Sequence, residues 1–149
     1  MIMMNQSIHS LAEKGFFHAK EILPKGTVGD LIDAVEAILN ENTGKDIMQD
    51  MSGHPIKVKY PLSKDPIFMK ALANPSLIDL VDMLFPNGDA VLTWEDILVK
   101  QPRSDTEVHV HQDLALQKTN GDVFSIGLSL HDDTHNPVFY LPGSHLSGA

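Results

Sequence analysis

The apolar residues of this chain change their spacing at Gly88. Before it they recur at helical intervals; after it they alternate. In "TVGDLIDAVEAILNENTGK", Val28, Leu31, Ile32, Val35, Ile38 and Leu39 form one stripe at three- and four-residue spacing, which predicts a helix. Thr27 followed by Asp30 resembles a capping box, and Gly44 is a plausible stop. "SKDPIFMKALANPSLIDLVDMLFPNGD" reads as two more helices. The first runs from about Pro66 to Ala73, and the second has Asn74 as cap and Pro75 at its first position, where a missing N–H costs nothing. "FPNG" ends it. "GFFHAKEIL", upstream, suits a short strand or an extended lead into the first helix. Past Gly88, "AVLTWEDILVK" is rich in β-branched and aromatic residues, "EVHVHQDLA" and "DVFSIGLSL" alternate, and "NPVFYLPGSH" is a short strand closed by a Pro-Gly turn. Helices followed by antiparallel-looking strands with short turns imply an α+β fold containing a sheet or barrel. The 149 residues are most naturally one domain.

The bulk properties narrow the function. Hydrophobic content of 42% and charged content of 21% are those of an ordinary globular chain. A formal net charge of −9 argues against broad contact with nucleic acid or anionic lipid, which need a cationic surface. There is no cysteine, hence no disulfide, thiolate metal site or thiol nucleophile, and a reducing compartment fits. "MIMMNQSIHS" lacks the basic flank and apolar run of a signal peptide, and nothing approaches the ~20 apolar residues of a membrane span. The expected location is the cytoplasm.

"TEVHVHQDLAL" carries the chemistry. Alternate residues of a strand share a face, so His109, His111 and Asp113 point the same way. Imidazole and carboxylate together suit Fe(II), Mn(II) or Zn(II). A rise of ~3.3 Å per residue puts the first and third side chains roughly 13 Å apart along a strand, too far for metal bonds of about 2 Å. One neighbouring pair therefore holds the metal, and the third residue lines the cavity or faces solvent.

A His-x-Asp tripeptide is common, and its surroundings give this one its weight. "HQDL", an alternating strand and "DDTHNPVFYLPGSHLSG" resemble the phytanoyl-CoA dioxygenase family of Fe(II)- and 2-oxoglutarate-dependent oxygenases. "EKGFFHAKEILP", "ALANPSLIDLVDMLF" and "LVKQPRSDTEVHVHQDL" extend the resemblance over about Leu11 to Gly148. It implies amino-terminal helices (about 1–88) and part of a double-stranded β-helix, or jelly-roll (about 89–149). It also implies hydroxylation of an unactivated C–H bond in a small organic or acyl substrate, with Fe(II) as cofactor and 2-oxoglutarate and O2 as co-substrates. Carried over by residue, His111 and Asp113 match two iron ligands. Lys57, with Lys59 as competitor, looks like a 2-oxoglutarate contact. His109, Gln112 and Ser129 are expected around the cavity, with Gln112 pointing away from iron. His131 and His135 match no ligand position, and His145 of "PGSH" reads as a turn histidine.

The sequence also departs from the pattern. The usual Asn-Gly-Pro turn is Asn136-Pro137 here. The family's distal iron-binding histidine and its 2-oxoglutarate-binding arginine lie beyond "PGSH", and this chain stops at Ala149. The expectation is a truncated domain whose exposed strand edges could self-associate. Alternatives are a degenerate, non-catalytic jelly-roll binding domain, or a cupin-like metal protein using His109 and His111. The cupin pattern wants a carboxylate shortly after the second histidine, and Leu114–Thr119 hold none.

Overall fold

The computed structural model describes residues 2–41, 44–88, 90–100, 107–113, 121–131 and 137–147, and within 2–6 only the backbone. Two compact units emerge: Met1–Lys20 with Val108–Ala149, and Glu21–Glu107.

The second unit holds the core. Helix α2 spans Lys25–Glu41 and buries Leu31 and Ala34. Its start differs from the sequence expectation. Val28 N–H already donates to the Pro24 carbonyl at 3.1 Å, so the first turn follows Pro24 and Thr27 lies inside the helix rather than capping it. Helix α3 spans Pro66–Leu72, capped by Asp65, whose carboxylate accepts from Ile67 N–H at 2.8 Å. Helix α4 spans Pro75–Leu84, and Asn74 Oδ1 accepts from Ser76 N–H at 3.0 Å. Both starts fall where an Asx-Pro pair predicts them.

Three short strands form one antiparallel sheet in the order β1 (Ile47–Gln49), β2 (Pro55–Lys59), β3 (Asp96–Leu98). Two of them lie in the stretch read as helical, and β3 is all that forms of the longer strand expected over 90–100. Ile47, Val58 and Ile97 stand in one cross-strand row, and Val58 is wholly buried. The neighbouring row, Met48, Lys57 and Leu98, takes the opposite face. Phe68, Ala71 and Leu77 are buried as well.

The first unit is built differently. Helix α1 spans Ile2–Lys14, unanticipated from the sequence. The expected strands cover 107–115, 122–130 and the stretch from 136 to the Pro-Gly turn; their described residues join no ladder, and 114, 115 and 136 lie outside the described residues. Their apolar side chains stay largely in solvent: Val110 and Phe139 are each 88% exposed. Alternation selects a face only where a paired strand and a covering layer exist to bury it. No helix among the described residues is long and apolar enough to cross a membrane.

Candidate metal centre

His111 and Asp113 lie in the first unit, two residues apart in the chain, with both side chains about half exposed. His111 Nδ1 sits 2.7 Å from the His109 carbonyl oxygen. A carbonyl can only accept, so Nδ1 carries a proton, and in the neutral ring the lone pair is on Nε2. Nε2 faces Asp113 Oδ1 at 3.4 Å, too far for a good hydrogen bond. The other carboxylate oxygen, Oδ2, accepts from the Ser125 hydroxyl.

This arrangement fits a divalent metal. With bonds of about 2.1 Å, adjacent ligands of a tetrahedral or octahedral ion stand about 3.0–3.4 Å apart. Imidazole Nε2 and carboxylate Oδ1 match that separation. Each donor is held from behind, the ring by a backbone carbonyl and the carboxylate by a hydroxyl, as metal ligands commonly are. Among the described residues, no third His, Cys, Asp or Glu joins them.

The other expected residues divide. His109 is exposed, and what it brings to the pair is its backbone carbonyl. Gln112, between the two donors, sends its amide Nε2 to the Ser144 carbonyl at 2.7 Å. Ser129 and His131 are exposed, and His135 lies outside the described residues. Lys57 belongs to the second unit, where its amine pairs with Asp96 Oδ2 at 2.8 Å. Ser125 was missed as a site residue, although the alternation of "DVFSIGLSL" puts it on the same face as Ser129. An open groove of the second unit, lined by Asp30, Asp33, Asp65 and Lys70 among others, contains none of the motif residues.

The phytanoyl-CoA dioxygenase family model matches residues 11–149. The chain belongs to the phytanoyl-CoA dioxygenase family. The match spans α2 to α4, the sheet and the His-Gln-Asp segment together, so it does not rest on the tripeptide. Neither the curated proteins nor the solved structures gave a match. Family membership relates the chain to Fe(II)- and 2-oxoglutarate-type oxygenases and to the oxidoreductase class.

Proposed function

We propose that His111 and Asp113 are two protein ligands of Fe(II) in a 2-oxoglutarate-dependent oxygenase that hydroxylates an unactivated C–H bond of a small organic or acyl substrate. The reading rests on one observation above the others. His111 Nε2 stands 3.4 Å from Asp113 Oδ1, while the remaining donor atoms of both side chains are occupied elsewhere. A His-carboxylate pair is the partial form of a two-histidine, one-carboxylate triad, which leaves positions open for a co-substrate and oxygen. The third ligand and the arginine expected to hold 2-oxoglutarate come, in this reading, from outside the described residues. His111 and Asp113 would hold Fe(II), which would supply oxidising chemistry from O2 and 2-oxoglutarate, with succinate and carbon dioxide as by-products and the second oxygen atom going to the substrate.

The chain's own residues do simpler things. The His109 carbonyl keeps the proton on Nδ1, so the imidazole meets a metal through Nε2. The Ser125 hydroxyl engages Oδ2, so Asp113 presents Oδ1. Lys57 is carried as a 2-oxoglutarate contact, which requires its amine to leave Asp96. The test is anaerobic addition of Fe(II) and 2-oxoglutarate to the full chain, followed for a visible charge-transfer band. The band is expected in the wild type and absent from His111→Ala and Asp113→Ala. Metal that binds equally well in both variants would overturn the assignment.

A further inference from the structure

The "PGSH" turn does more than reverse the chain. The last carbonyls of a helix have no partner within it. At the end of α1, two of them are met by this one distant turn. Gly143 N–H donates to the Lys14 carbonyl at 2.9 Å, and His145 Nε2 donates to the Ala12 carbonyl at 3.1 Å. Gly15 follows the helix with φ +84°. A Cβ built there would overlap the His145 imidazole, so the ring packs directly on the glycine backbone. Phe16 stacks on Tyr140 with ring centroids 4.8 Å apart, which holds the segment leading into the turn. Between Gly143 and His145 stands Ser144, whose carbonyl receives the Gln112 amide at 2.7 Å.

Gln112 is flanked by His111 and Asp113, so its contact with the Ser144 carbonyl holds the backbone that joins the two. The side chains of the pair are half exposed, so burial does not fix the 3.4 Å between them. Their spacing depends on how firmly the backbone between them is held, and Gln112 is a tether on it.

We infer that the carboxyl end of α1 and His145 are positioning elements for the His111–Asp113 pair, acting through Ser144 and Gln112. As a metal-site device the relay rests on the proposed function; as a mechanical link from α1 to His111 it does not. In this scheme Gln112 and His145 touch no reacting atom. They set the geometry of the residues that do.

The experiment compares His145→Phe, which keeps ring bulk but removes the donor, with Gln112→Met, which keeps length but removes the amide. Both variants and their combination are made in the full chain. Two readouts are used: Co(II) affinity, and the ring 15N shifts of His111 without metal. Each single variant is expected to weaken Co(II) binding about tenfold. The double variant should lose no more than the worse single one, because both cut the same relay. The His111 ring signals should move from a single Nδ1–H pattern toward an average of tautomers. A lowered Tm with unchanged affinity and ring shifts would mean a merely structural contact and overturn the inference. So would losses that simply add. If His145→Phe does not fold, Gln112→Met decides by the same two readouts. A wild type that takes no Co(II), but whose His111 ring responds to both variants as expected, defeats the metal assignment and upholds the relay.

Discussion

Lys57 Nζ lies 2.8 Å from Asp96 Oδ2, and the Trp94 indole N–H donates to the same oxygen at 2.9 Å. The register explains the meeting. Lys57 is opposite Leu98 and Lys59 is opposite Asp96, so Lys57 and Asp96 are diagonal neighbours on one face of the sheet. Lys57 is 31% exposed and Asp96 16%, which leaves the pair partly screened. Asp96→Asn keeps an acceptor for Trp94 and removes the charge. It should cost no more than about 1 kcal/mol in a urea titration. In active enzyme the same change should free the Lys57 amine and lower the KM for 2-oxoglutarate, while Lys57→Met raises it. If neither variant moves that KM, Lys57 serves the sheet alone.

Ser125→Ala addresses the carboxylate. The hydroxyl donates to Asp113 Oδ2, and the serine is exposed, so little packing is at stake. Loss of an outer partner typically lowers metal affinity by about tenfold or more. Mn(II) or Co(II) titration should show that loss with Tm nearly unchanged. Wild-type affinity in the alanine variant would remove Ser125 from the site.

Val58→Ala probes the core of the second unit. Val58 is wholly buried, in the central strand between Ile47 and Ile97. Removing two buried carbons, with a cavity left behind, should cost about 2 kcal/mol or more. Chemical unfolding measures it directly. A change well under 1 kcal/mol would mean that the sheet repacks around the smaller side chain.

What could be read from the sequence follows how local each signal is. Asp65-Pro66 and Asn74-Pro75 place a cap and a first helical residue side by side, so α3 and α4 start where expected. The stripe of α2 was equally plain, although Thr27 gave a false start because Pro24 opens the helix first. Helix α1 was not legible. Its carboxyl end is satisfied by Gly143 and His145, far away in the chain, and no local pattern announces such partners. Strands β1 and β2 are too short for alternation to register, and β2 opens on Pro55. In the motif, strand geometry reduced three candidates to a neighbouring pair. Which pair came from family resemblance, and the contacts behind the pair, Ser125 and the His109 carbonyl, came only from the structure.

His109 separates the oxygenase reading from a cupin-like one. A cupin-like site would use the His109 and His111 rings as its ligand pair, so His109→Ala would abolish metal binding and Asp113→Ala would spare it. The arrangement seen here predicts the opposite. His109 contributes its main-chain oxygen to His111 Nδ1, and every residue type keeps that oxygen. His109→Ala should therefore retain most of the Co(II) affinity and leave the His111 ring in its Nδ1–H form. Asp113→Ala removes the oxygen that faces Nε2 at 3.4 Å and should reduce binding to that of a lone surface histidine. Equilibrium dialysis of the two variants beside the wild type gives the comparison. Loss of binding in His109→Ala, with Asp113→Ala unaffected, would transfer the site to the histidine pair.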